Sequence, residues 1–325
     1  MFRVLGELLA PGGERARLIV LIYHRILRAP DPLLYDEMDA HTFALHVKLL
    51  ASDFNVLPLG EACARLKSGK LPSRAVSITF DDGYADNEEV ALPILRDAGI
   101  RATFFIATGY SRGGMMFNDV LIEALRAAPA GRHDLTHLGL LALEVSDPAS
   151  RRDAIDRIIA AVKYRPIRER AALVEEVARC LRVEVPRNIM MTPAQITRLH
   201  DAGMEIGAHT VNHPILASVP DDIAHGEIAE SKRTLEDITG AAVTLFAYPN
   251  GKPGKDYLPK HVRMVRELGF SAAVSTMSGA AHRESDLHEL PRFGPWDRDP
   301  RRLAMRLLLD CRRAPASAHT AAVAQ

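Results

Sequence analysis

The strongest constraint on this chain is a recurring pair: a short, almost wholly apolar run, then a stretch with helical periodicity. "RLIVLIYH" ends at His24, "AVSITF" at Phe80, and "RATFFIA" covers Arg101–Ala107. "MEIGAHT", "VTLFAYP" and "FSAAVST" follow later, and "HELPRF" closes the series. Strands buried on both faces read as continuous apolar runs, whereas a sheet with one wet face alternates. The segments between them, such as "HTFALHVKLLASDF", "NEEVALPILRDAG" and "DDIAHGEIAESKRTLEDITG", carry helical spacing and often stop at glycine. This alternation predicts a parallel, helix-covered α/β sheet or barrel.

The rhythm breaks between the third and fourth runs. Residues 111–188 offer helical patterns ("FNDVLIEALRAA", "DPASRRDAIDRIIAAVKY", "IRERAALVEEVARCL") and no strand signal. The expected organisation is one domain, 1–325. Its core covers 18–110 and 189–296, with a helical insertion at 111–188 and a fraying tail at 313–325. The 41 basic and 41 acidic side chains cancel, so no basic excess points to nucleic acid. Cys63, Cys180 and Cys311 are far apart and form no CxxC pair, which argues against a cysteine metal site and suits reduced thiols. "MFRVLGELLAPGGERAR" lacks the long apolar region of a signal peptide, and "LIVLIY" is too short to span a bilayer. A cytoplasmic location follows as an expectation, with the inner membrane face as a variant. The N-terminal segment is expected to be a short amphipathic helix packed on the domain, with peripheral membrane contact as the alternative.

In parallel α/β folds, chemistry gathers at the carboxyl ends of the strands. Here those ends carry His24, Asp81 with Asp82, His209 with His213, and the "YPNG" turn. Taken alone, "DDG" reads as a turn and "HTVNH" as two structural histidines. Together they make a two-histidine, one-carboxylate metal set with a second carboxylate to spare. Asp82 is then the metal ligand beside His209 and His213, and Asp81 the general base for a metal-bound water. Zinc is the first expectation; cobalt, nickel and iron suit the same ligands. Pro214 disfavours a helix at His213, so a tight turn is expected there.

"TFDDGYADN", "EIGAHTVNHPIL" and "LFAYPNGK" resemble, in order and context, the first three motifs of the polysaccharide deacetylases, the NodB-homology group in carbohydrate esterase family four. The resemblance implies a distorted (β/α)7 barrel, with the helical insertion between the first and second motifs. It implies a divalent metal and removal of an N-acetyl group from an amino sugar in a polysaccharide, oligosaccharide or lipid- or nucleotide-linked saccharide. By motif position it implies Asp81 as base, Asp82, His209 and His213 as ligands, and the backbone N–H of Asn250 as an oxyanion donor. The N-terminal "YH" is similar to the branch of poly-N-acetylglucosamine deacetylases, which makes His24 the candidate general acid.

Two departures matter. Many members hold the base with an arginine two residues before the proline of the third motif; Ala247 stands there, and Arg292 of "ELPRF" is the candidate replacement. Asn250 also replaces the tyrosine that often follows that proline. Tyr84 is expected to line the cleft, Tyr248 to line it or pack, and Trp296, the only tryptophan, to pack the C-terminal segment, with sugar stacking as its alternative. Two rival functions stay open: hydrolysis of another amide, such as a cyclic imide or ureide, and a non-catalytic carbohydrate-binding or assembly protein. Under the deacetylase reading as well as its rivals, the insertion is a candidate surface for self-association or membrane contact.

Overall fold

The computed structural model describes residues 2–311; the predicted tail at 313–325 lies outside the described residues. The chain divides into two compact units. One comprises residues up to 29, 37–112 and from 191 onward; the other comprises 30–36 and 113–190.

The first unit is built on one parallel sheet. Its strands are β1 (Leu18–Tyr23), β2 (Ala75–Phe80), β3 (Thr103–Ile106), β4 (Glu205–Ala208), β5 (Leu245–Ala247) and β6 (Ala272–Val274). They are hydrogen-bonded in that spatial order, and Asn55–Val56 adds a short parallel pair to β2. In register, Tyr23 pairs with Phe80, Ile106 with Ala208, Ala208 with Phe246, and Phe246 with Ala273. The carboxyl ends of the strands therefore share one rim. The segment after β6 brings the curl back to its start. Leu290 bridges Val274, and Phe293 bridges Leu21, all in parallel sense. "HELPRF" is thus not the strand expected: Leu287–Glu289 is a short turn of 3-10 helix, and Pro291 has no N–H to continue a ladder.

Alternation along the strands sorts side chains into two layers. Ile19, Leu21, Tyr23, Val76, Ile78, Phe80 and Phe104 pack outward with Phe43, Leu50, Leu95, Leu199 and Leu307 of the surrounding helices. Leu18, Val20, Phe105, Ala247 and Val274 fill the lumen. Both layers are dry, which is why the runs look uniformly apolar. Each buried Leu, Ile or Phe contributes about 1.5–3 kcal/mol. The helices begin where their caps stand. Asp39 accepts from Thr42 N–H at 3.0 Å, and Thr192 with Gln195 forms a capping box ahead of Pro193–Asp201. The helix predicted from Asn87 opens as a π turn, Asn87–Ala91, before Leu92–Asp97 becomes α-helical.

The second unit holds helices Phe117–Ala127, Pro148–Val162 and Ile167–Cys180. It also holds an antiparallel ribbon, Gly131–Asp134 with Ala142–Val145, so it is not purely helical as expected. Leu121, Leu125, Leu143, Ile155, Ile158, Val174 and Val177 are buried in it. The Arg151 guanidinium donates to the carbonyls of Leu125, Arg126 and Ala128, closing the open end of the first helix. Among the described residues no helix is long and apolar enough to cross a membrane.

Candidate active site

The site begins where β2 runs out. Asp81 N–H still pairs with Tyr23 C=O at 2.9 Å, and then Gly83 N–H turns back onto Asp81 C=O at 3.0 Å. Asp82 takes a left-handed φ of 76° inside this turn, and its carbonyl is held by Ala107 N–H at 3.2 Å. The turn sends two adjacent carboxylates to different partners. Asp81, only 3% exposed, is gripped by both terminal nitrogens of Arg292, each at 2.7 Å. The same guanidinium donates to Ser275 C=O at 2.8 Å and Thr79 Oγ1 at 3.2 Å, so its fork is fixed on three sides. Burial pushes the Asp81 carboxyl up, but Arg292, with His209 behind it, outweighs burial and holds it below the usual range.

Asp82 faces the histidines. Residues 209–213 form a turn, with Thr210 at φ 64° and His213 at φ 51°. His209 Nδ1 lies 2.7 Å from Ala247 C=O and donates to it, which leaves Nε2 as the free ring nitrogen. His209 Nε2 is 3.1 Å from His213 Nε2, and each is 3.4 Å from Asp82 Oδ1. That oxygen is buried and has no hydrogen-bond partner. Three ligands about 2.0–2.1 Å from a tetrahedral zinc stand roughly 3.3 Å apart. The triangle and the orphaned oxygen therefore fit a divalent ion held by Asp82, His209 and His213. Burial raises the Asp82 carboxyl, yet the imidazoles around it bring it well below its ordinary value. Burial brings His213 down to about 4. Burial also works against charge on His209, but Asp82 and Asp81 outweigh it and raise its pKa.

The third motif supplies a donor. Asn250 has φ 58°, its carbonyl accepts from Thr276 Oγ1 at 2.7 Å, and its N–H meets no acceptor among the described residues. His24 follows β1 at the same rim, its carbonyl held by Asn87 Nδ2 at 2.8 Å. Its imidazole lies near enough to Asp81, Asp82 and His213 to bear on their electrostatics.

Two expectations about aromatic residues change, for Tyr84 and Trp296, and the open choice for Tyr248 closes. Tyr84 is buried with the Arg25 guanidinium 4.9 Å over its ring, so it is packed and does not line an open cleft. Tyr248 is wholly buried and stacks on Tyr257 at 3.9 Å, which assigns it to packing. Trp296 is 75% exposed and does not pack the C-terminal segment. A backbone holder of the site escaped the sequence reading. The turn Thr108–Tyr110 after β3 takes the carbonyls of the histidine loop, and its signal was the glycine of "ATGY" directly after an apolar run.

A curled parallel sheet whose rim joins a clamped acid to a carboxylate–histidine triangle is an arrangement suited to metal-assisted hydrolysis. The polysaccharide deacetylase family model matches residues 68–163 and 182–273, and the chain belongs to that family. YxkH of Bacillus subtilis (strain 168), whose name places it among polysaccharide deacetylases, is 25% identical over 283 residues, 85% of this chain and 71% of that protein. Two solved structures share the fold. The deacetylase PplD of Streptococcus pyogenes, in complex with acetate, has a TM-score of 0.62 at 19% identity, covering 92% of this chain and all of that one (100%). IcaB from Ammonifex degensii has a TM-score of 0.57 at 19% identity, covering 90% and 98%. Family membership supports de-N-acetylation as the activity.

Proposed function

We propose that this chain is a metal-dependent N-deacetylase acting on an N-acetylated saccharide, a polymer or oligomer of amino sugars first among them. The observation that carries the reading is the juxtaposition of Asp82, His209 and His213 with a second carboxylate, Asp81, kept off that triangle by Arg292. A divalent ion, zinc first, would supply a Lewis acid for the amide carbonyl and a water of lowered pKa. Asp81, ionised and fixed in direction, accepts the proton of the attacking water. The Asn250 N–H donates to the carbonyl oxygen as it gains charge, a kind of contact worth about 3 kcal/mol. His24 gives a proton to the amine nitrogen as the C–N bond breaks, so acetate and a free amino sugar leave. The "YH" of β1 favours poly-N-acetylglucosamine-like substrates within this class. A cytoplasmic or inner-face setting belongs to the same reading, in keeping with three unpaired cysteines.

The test is acetate release from a panel of N-acetylated saccharides by the zinc-loaded protein, the chelated protein and Asp81→Asn. Release by the first and loss in the other two is expected. Equal release by Asp81→Asn would remove Asp81 as base, and ring opening of a cyclic imide without acetate release would move the reaction class.

A further inference from the structure

The peptide that joins the two histidines is hydrogen-bonded on both sides. On one side stands Glu227, on the helix Asp221–Thr239. Its Oε2 accepts from Val211 N–H at 2.9 Å and Asn212 N–H at 2.7 Å, and its Oε1 accepts from Asn212 Nδ2 at 2.7 Å. On the other side is the turn Thr108–Tyr110. Thr108 N–H donates to Thr210 C=O at 3.1 Å, Gly109 N–H to Val211 C=O at 2.9 Å, and Tyr110 Oη to Asn212 C=O at 3.1 Å. His213 N–H closes the loop onto Thr210 Oγ1 at 3.1 Å. The approach at Gly109 is so tight that an added Cβ would lie 2.8 Å from Val211 O.

Glu227 is out of place on any reading that stops at the helix. Its inner face is Ala224, Ile228, Ser231 and Leu235, and Glu227 shares it at 8% exposure. A carboxylate buried in such a row is costly unless its oxygens are filled. Here they are filled by one target, Val211 and Asn212 of the three-residue bridge between the imidazoles. That bridge must hold Thr210 and His213 in left-handed conformations, which non-glycine backbone keeps only where its surroundings restrain it. Without the grip on the N–H side, those peptides are restrained only through their carbonyls, and the 3.1 Å spacing of the Nε2 atoms rests on one side of the loop alone.

We infer that Glu227 is a positioning residue that sets the separation of His209 and His213 by fixing the peptide between them. It touches neither the ion nor the substrate. The inference rests on reading Asp82, His209 and His213 as metal ligands, and the experiment separates the two ideas.

Zinc and cobalt(II) affinity are measured by chelator competition on metal-free protein, with the cobalt visible spectrum as a report on ligand geometry. Glu227→Ala is expected to weaken binding about 10- to 100-fold, the usual range for losing a group that orients metal ligands, and to alter the cobalt spectrum. Glu227→Gln is expected to stay within a few-fold of wild type. Its amide oxygen keeps the two backbone bonds, and its NH2 meets the Asn212 oxygen once that amide flips. If Glu227→Ala does not fold, Glu227→Asp, which shortens the arm by one methylene, is expected to show the same loss. Wild-type affinity and spectrum in the Ala or Asp variant overturns the inference. So does equal loss in Glu227→Gln, since charge and not position would then be the cause. His209→Ala is the separate arm: unchanged affinity there would overturn the metal reading itself.

Discussion

In the unit formed by 30–36 and 113–190, the one non-glycine residue with a left-handed φ among the described residues is Arg182. It sits just past the helix Ile167–Cys180, where Val183 N–H reaches back to Ala178 C=O and Arg182 N–H to Arg179 C=O. That is a helix ending at an ordinary place without the usual glycine. In the barrel unit, Arg74, Asp82, Thr210, His213 and Asn250 are left-handed, and the last four lie in the three motif loops. The same backbone state closes a helix in one unit and aims ligands and donors in the other. The difference lies in what holds it. Arg182 is held by a local helical pattern. The rim residues are held by groups from elsewhere in the chain: Ala107 on Asp82, Thr276 on Asn250, and the turn Thr108–Tyr110 on the histidine loop.

If the rim is built for chemistry, removing its chemistry should leave its architecture. Asp81→Asn is expected to lower kcat about 10²- to 10⁴-fold while metal content stays at the wild-type level. Metal loss in that variant, read by elemental analysis, would make Asp81 part of the ligand set instead.

Arg292→Met sharpens the comparison from the other direction, because here architecture and chemistry share one side chain. Stripping the partner from a buried carboxylate is expected to cost about 3–5 kcal/mol in denaturant unfolding. The pH dependence has a definite sign. In the wild type the Asp81 carboxyl is held low, so its contribution to stability is present above the unfolded value of ~3.9 and is lost as pH falls through the lower folded value. With Arg292 gone, burial raises the carboxyl, and the variant's deficit should shrink as acid protonates it. The acid limb of kcat/KM should move to higher pH. A limb that stays in place, in a variant that folds, would show that Arg292 does not govern the base.

The histidine triangle predicts proton release. Metal-free His209 has a raised pKa and carries a proton at about pH 6, whereas His213, at about 4, is already neutral. Ligation needs both unprotonated, so binding should release about one proton at that pH, and affinity should fall up to tenfold per pH unit below it. Calorimetry in two buffers of different ionisation enthalpy measures the number; two protons would contradict the burial of His213.

The smallest effect belongs to the other unit. Arg182→Gly should stabilise the protein, or leave it unchanged, within about 1 kcal/mol, with no change in acetate release. A large loss of activity there would break the contrast between a helix end and a working rim.

What sequence could reveal divides along the same line. The strand runs were legible because burial on both faces leaves a continuous apolar signature, and the strand ends exposed Asp81, Asp82, His24, His209 and His213 as a group. Arg292 was legible only through a vacancy, the alanine at 247. The ribbon at Gly131–Asp134 was not, since "GRHD" is polar, partly exposed and without β-branched residues. Glu227 was hidden because a glutamate on a charged helix looks solvated; only the return of the histidine loop to that helix shows where its oxygens point. Trp296 misled for the opposite reason: a large aromatic suggests burial, and its segment leaves it outside.

The arginine that grips Asp81 arrives 211 residues after it, on the segment that joins β6 back to β1. A ribosome therefore produces the acid long before its counter-charge. Until residue 292 emerges, enclosing Asp81 means enclosing an unpaired ion, so the growing barrel has reason to stay ajar at that seam. Competence and completion then arrive together, and a chain released early should be inactive because its last stave never came.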